Sequence, residues 1–141
     1  MARVNWRRVW LGAFFGGVTW VIWSTIIGLT VVGPRYLEAE RSGWFLTQPR
    51  YPFFMAAWIV AIFVIAFILA WLYAGVRNAF GAGPRTALLV GLAVGFASGF
   101  PMNFALAAWA PFDRVFPLWW MLELWVGAVL AALAAGWAYR D

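Results

Sequence analysis

One acidic residue lies inside a long apolar segment of this sequence, and it is the first candidate for chemistry. Glu123 stands in the stretch from Leu118 to Tyr139, which holds no other charged residue. An acidic group at the centre of a membrane helix costs about 2.5 to 3.5 kcal/mol, so such residues usually turn toward other helices and often serve a function. Glu123 is therefore a candidate proton or cation site, or a polar anchor for a ligand headgroup. The alternative is a structural hydrogen bond that fixes helix register.

The sequence offers three candidate partners for this carboxyl group. Asn103 and Glu123 lie about equally far from the loop centred on residues 112–113, so two antiparallel helices joined there are expected to bring both side chains to the same depth. An asparagine amide can donate a hydrogen bond to the carboxylate, and Ser98 or threonines of the first apolar segment can extend the network. Arg114 is the nearest cation in the sequence.

The residue types that are missing exclude several kinds of chemistry. The chain has no Cys, no His and no Lys, and all ten basic residues are Arg. Disulfides, thiol redox centres, imidazole metal sites and lysine Schiff bases are therefore excluded. An enzyme needs two or more convergent catalytic groups, and we find no such set, so no catalytic residue, cofactor or metal is expected. The arginines form no stripe that would indicate nucleic-acid binding.

Four long apolar segments must position these residues. The sequence of 141 residues is 66% hydrophobic and 11% charged, and about 20 apolar residues suffice for a helix to cross the hydrocarbon core. The segments predict a single all-α domain over 1–141, an integral membrane four-helix bundle with up-down topology. The predicted spans are 9–32, 52–76, 86–108 and 118–139. In the first loop, Pro34 can begin a short interfacial helix and Gly43 can end it, or the loop is a simple tether.

Arginines at the span edges predict the orientation. Six of them lie on the side that holds both termini and the second loop, and four lie on the other side. The positive-inside rule therefore favours both termini in the cytoplasm, and the composition favours a bacterial cytoplasmic (inner) membrane. The six are Arg3, Arg7, Arg8, Arg77, Arg85 and Arg140, and the four are Arg35, Arg41, Arg50 and Arg114.

Small residues recur every four positions in the third and fourth spans, as in the GxxxG pattern of membrane helix contacts. Such rows let two helix backbones approach closely, which is how helices associate in lipid. The candidates for helix packing are Gly91, Gly95 and Gly99 in the third span, and Gly127 and Ala131 in the row that begins at Glu123. Gly12 and Gly16 form a shorter row in the first span, and Pro101 is expected to kink the third.

Two functions fit these features. The first is a non-catalytic subunit or scaffold that packs against other membrane proteins, lipids or pigments, which the small and aromatic residues favour, including 12 Trp. The alternative is a small homo-oligomeric transporter or channel that uses Glu123 as its proton or cation site. Small multidrug transporters are similar in size, span number, aromatic content and their single membrane glutamate. Their glutamate lies in the first helix, however, so the similarity implies architecture alone.

Overall fold

The computed structural model describes residues 4–139, and its regular structure there is entirely helical. Four of its helices are long and apolar enough to cross a membrane. This confirms the predicted all-α class with four segments of membrane-spanning length. The helices are α1 (Trp6–Ile27), a π-helical turn (Gly28–Val32), α2 (Gly33–Arg41), α3 (Phe54–Phe80), α4 (Pro84–Trp109) and α5 (Val115–Ala138).

The helices extend beyond most of the predicted span bounds. Helix α3 continues past residue 76 through Arg77 to Phe80, and α4 begins two residues before the predicted position. Hydropathy marks the part of a helix that lies in lipid, whereas backbone hydrogen bonding continues until the chain turns. Here the turn is made by Gly81 and Gly83, with φ values of 86° and 142°, which favour glycine. Pro84 then begins α4, where its missing N–H costs nothing.

The first helix continues past its apolar segment. The predicted short helix after Pro34 is present as α2, but it is continuous with α1 through the π-helical turn, so one helix runs over Trp6–Arg41. Pro34 cannot donate the usual backbone hydrogen bond. In the π-helical turn just before it, the Gly33 N–H donates to the carbonyl of Gly28, five residues earlier. The helix ends at Arg41, and the chain turns at Gly43 in a Schellman motif, in which Trp44 N–H donates to the Ala39 carbonyl at 2.9 Å.

Helix α5 contacts the other three long helices. Its contact with α4 depends on the glycine row of α4, because a Cβ atom on Gly91 would lie only 2.7 Å from the Cα of Val129. A Cβ atom on Gly95 would lie 2.9 Å from the Trp125 carbonyl oxygen, and one on Gly99 would lie 3.0 Å from that of Met121. The three glycines therefore lie where the backbones of α4 and α5 approach each other closely.

The contact between α1 and α5 uses a second row of small residues. A Cβ atom on Gly12 would lie 3.2 Å from the Ala135 carbonyl oxygen, and one on Gly16 would lie 2.9 Å from that of Ala131. Residue numbers rise along α1 as they fall along α5, so the two helices are antiparallel. Gly127 and Glu123 continue the same face of α5, and this face positions the candidate site.

Candidate intramembrane polar site

Glu123 is buried at the contact between α1 and α5. Its side chain is 8% exposed, as expected for an acidic group that turns away from lipid. The Ser24 hydroxyl donates a hydrogen bond to its Oε1 atom. Ser24 lies on the face of α1 that begins with Gly12 and Gly16, and the spacing of four residues brings it opposite Glu123. The carboxylate therefore joins the first long helix to the last.

Two indole groups on α1 complete this contact. Trp23 donates from Nε1 to the backbone carbonyl of Glu123 at 3.1 Å. Trp20, one turn earlier, is 0% exposed, and its Nε1 atom has no hydrogen-bond partner among the described residues. The edge of the Trp20 ring lies against Gly127, where any side chain would overlap the indole. Because Gly127 has no side chain, the Trp20 ring fits against α5 one turn from the Glu123 carboxylate.

An aromatic cluster closes the site toward α2. Tyr36 of α2 accepts a hydrogen bond from Trp120 Nε1 at 3.0 Å, and its ring centroid lies 5.4 Å from those of Phe45 and Phe116. Trp120 precedes Glu123 by one turn of α5. The cluster therefore covers the carboxylate at the end of the α1–α5 contact, and the continuation of the first helix into α2 provides that cover.

Asn103 does not meet Glu123, although the sequence placed the two at similar depth. Its amide donates to the Gly99 carbonyl of its own helix at 2.7 Å, and the side chain is 7% exposed. The face of α5 that receives α4 contains Met121 and Trp125, whose backbone atoms lie near Gly99. Glu123 lies on the neighbouring face of α5 and points toward α1. The expected pairing was wrong because helical rotation separates these two faces.

Ser98 and Arg114 also lie apart from the carboxylate. The Ser98 hydroxyl donates to the Gly95 carbonyl of its own helix at 3.4 Å. Arg114 is exposed immediately before α5 begins. Within residues 4–139, no hydrogen bond or ion pair connects either side chain to Glu123. Of the four candidates from the sequence, only Glu123 belongs to the site that the structure shows.

Sequence reasoning missed Trp20, Trp23 and Ser24. The missed signal is the row that starts with Gly12 and Gly16, because two further steps of four residues reach Trp20 and Ser24. A large residue in a row of small ones needs a gap on the opposing helix, which Gly127 provides. The matched spacing in the first and last spans was therefore the available clue.

Neither a family model, nor a curated protein, nor a solved structure is similar to this chain at a significant level. Its function must therefore be argued from the polar site and from the surfaces that the helices leave exposed.

The site offers one carboxylate with two hydrogen-bond donors on the facing helix. The donors are the Ser24 hydroxyl, which is engaged, and the Trp20 indole N–H, which lies one turn away. No group of three or more His, Cys, Asp or Glu that could hold a metal ion occurs in the described part of the chain. A single carboxylate with neutral donors can fix the register of two helices, and it can also exchange a proton or accept a cation.

Proposed function

We propose that this chain is a non-catalytic subunit of a bacterial cytoplasmic membrane complex, with a helix surface that packs against other membrane proteins. The supporting observation is the first part of α3. Every residue from 54 to 61 is exposed, on all sides of the helix. Helix α3 acquires a buried face only from Ile62 onward, where Ala66 and Leu69 pack inside the bundle. About two turns of this helix therefore make little contact with the rest of the chain.

The exposed segment has the composition of a membrane helix contact. Ala57 and Ala61 are spaced by four residues and allow another helix to approach closely. Met55 and Trp58 stand beside them, 64% and 37% exposed, and both side chains suit a packed interface. The polar site supports the subunit proposal. Ser24 and Glu123 hold α1 against α5 within one chain, and α3 takes no part in that contact.

The orientation belongs to the same proposal. The excess of arginines at the end with both termini and the α3–α4 turn favours that end in the cytoplasm, six against four over the whole sequence. In an up-down bundle with this orientation, residues 54–61 lie in the outer half of the membrane. The partner is therefore expected to contact the chain on the side away from the cytoplasm.

Copurification tests the proposal with a matched pair of variants. We expect the wild-type chain, extracted from native membranes in mild detergent, to migrate in a complex larger than a monomer. Ala57→Leu with Ala61→Leu should release it, because the larger side chains hold the partner helix away. Ala93→Leu with Ala97→Leu is the control, since these alanines on α4 are also exposed and spaced by four. A monomeric wild-type chain, or equal complexes in both variants, would contradict the proposal.

A homo-oligomeric transporter or channel is the alternative, and one observation favours it. The buried Glu123 carboxylate of α5 lies about one helical turn along the contact from the Trp20 indole of α1. The Trp20 Nε1–H group has no hydrogen-bond partner among residues 4–139. The carboxylate can accept a proton or a cation in transit, and the indole N–H can donate a hydrogen bond to the carboxylate while it is ionised. In this reading the hydrogen bond from Ser24 positions Glu123 for that exchange.

Flux measurements with two variants separate the alternatives. The transporter reading predicts that reconstituted vesicles show proton or cation flux, that Glu123→Gln abolishes it, and that Ser24→Ala retains most of it. The subunit proposal predicts that wild type and Glu123→Gln give the same flux as empty vesicles. Flux that both variants leave unchanged would count against a transport role for Glu123.

A further inference from the structure

The longest exposed stretch of the described chain runs from Leu46 to Ala61, and every residue in it is exposed. Just before it, Phe45 packs in the aromatic cluster against Tyr36, and just after it Ile62 is buried inside the bundle. Its second half, 54–61, is the proposed partner contact on α3. Its first half is the end of the first loop, so the exposed surface continues beyond the helix.

A turn joins this part of the loop to α3. Phe54 N–H donates to the Tyr51 carbonyl at 3.0 Å, and Ala57 N–H donates to the Phe53 carbonyl at 2.9 Å. The ring centroids of Tyr51 and Phe53 lie 5.6 Å apart. These contacts hold Tyr51 directly before the first turn of α3. Arg50, one residue earlier, therefore lies at the same end of the helix, beside the proposed partner contact.

The exposed stretch contains the residue types that are enriched at protein interfaces. Tyr51, Phe53, Met55 and Trp58 are all exposed, and aromatic residues, methionine and arginine are the types most enriched in such contacts. Exposed apolar patches with a polar rim mark interaction sites. Here Arg50 provides the charged group at the rim.

Arg50 gives this surface a charge that nearby residues do not balance. The other arginines at this end, Arg35, Arg41 and Arg114, each have an acidic residue within three positions in the sequence. The acidic residue nearest to Arg50 in the sequence is Glu40, ten positions earlier, and no ion pair joins Arg50 to an acidic side chain within residues 4–139. A guanidinium binds a carboxylate through two parallel hydrogen bonds. The group complementary to Arg50 is therefore a carboxylate on the partner.

We propose that the partner is a membrane protein with a helix that carries an Asp or Glu side chain at the membrane surface, and that this carboxylate pairs with Arg50. This inference rests on the subunit proposal and adds the chemistry of the partner to it. The partner helix packs along Ala57 and Ala61 in the membrane, and its carboxylate meets Arg50 where the helix leaves the hydrocarbon. Partial exclusion of water there strengthens the charged pair, which fixes the register of the two helices.

Carbodiimide coupling tests the pairing in the complex extracted with mild detergent. The chain has no lysine, so Arg50→Lys places a single side-chain amine at this position. A water-soluble carbodiimide should join that amine to the partner's carboxylate as an amide, and mass spectrometry of the product should identify an Asp or Glu of the partner. Arg114→Lys is the control. Arg114 is exposed at the same end but follows Asp113, so this variant should give no coupled partner.

Charge reversal measures how much the pair contributes. Arg50→Glu should lower the recovered complex about tenfold or more, because two carboxylates then face each other, whereas Arg114→Glu should leave it unchanged. Suppose that the complex survives Arg50→Glu and gives no coupled partner, but is released by Ala57→Leu with Ala61→Leu. That result overturns this inference and supports the subunit proposal, whereas a monomeric wild-type chain overturns both.

Native mass spectrometry of the same variants distinguishes a lipid from a protein carboxylate. If Arg50→Glu loses bound phosphatidylglycerol but keeps the partner, the ligand of Arg50 is a lipid phosphate and the inference is wrong. If it loses the partner while phosphatidylglycerol is retained as in wild type, the pairing with the partner is supported.

Discussion

Replacing Gly91 by leucine is expected to separate α4 from α5 and to lower the free energy of unfolding by about 3 kcal/mol or more, at the upper end of overpacking effects. A Cβ atom at this position would lie 2.7 Å from the Val129 Cα and 3.1 Å from the Ala128 carbonyl oxygen. Both are backbone atoms and cannot rotate away. The helices must therefore move apart and lose the close contact that stabilises their association in lipid.

Gly75→Leu is the matched control for this prediction. Gly75 is exposed on α3, and no atom lies within 4 Å of a Cβ placed there. Leucine at this site should stabilise α3 by up to about 1 kcal/mol, because glycine is the poorer helix former. Reversible unfolding in mixed micelles of increasing dodecyl sulfate content, followed by circular dichroism, measures both variants. Equal unfolding midpoints for the two variants would show that the α4–α5 contact is looser than described.

The helices could be predicted from the sequence because each depends mainly on its own residues. A membrane helix satisfies its backbone hydrogen bonds internally, so a run of apolar residues of sufficient length identifies it. Hydropathy does not report the ends, which depend on turn residues such as Gly81 and Gly83. The continuation of α1 into α2 was also missed, since Pro34 was expected to start a separate helix and the π-helical turn instead accommodates it.

The candidate site could be predicted only in part, for a geometric reason. The cost of an exposed carboxyl in lipid predicts that Glu123 is buried, and it is. Counting residues from the loop to Asn103 gives an approximate height, but it says nothing about rotation around the helix axis. Because α5 has α1 on one side and α4 on another, rotation decides which neighbour the carboxyl meets. That choice depends on the matched faces of α1 and α5.

Trp20→Ala is the second substitution with a large expected effect. Trp20 is 0% exposed and belongs to a buried cluster that also includes Ile62 of α3, Val90 of α4 and Ala131 of α5. Truncation to alanine removes these contacts and leaves a cavity, which costs about 3 to 5 kcal/mol for a buried tryptophan. Trp71→Ala is the control. Trp71 is 46% exposed, and its loss should change the unfolding free energy by less than about 1 kcal/mol.

Trp20→Phe then separates packing from hydrogen bonding at the same position. Phenylalanine keeps most of the ring volume and removes the Nε1–H group, which has no partner in the part of the chain described. If Trp20 acts by packing alone, this variant should lose clearly less than Trp20→Ala, because the phenyl ring leaves a much smaller cavity than a methyl group does. A loss as large as that of Trp20→Ala would mean that the indole N–H is bonded in the membrane. Since Glu123 lies one turn away on the facing helix, that result would make Trp20 part of the polar site and would favour the transport alternative.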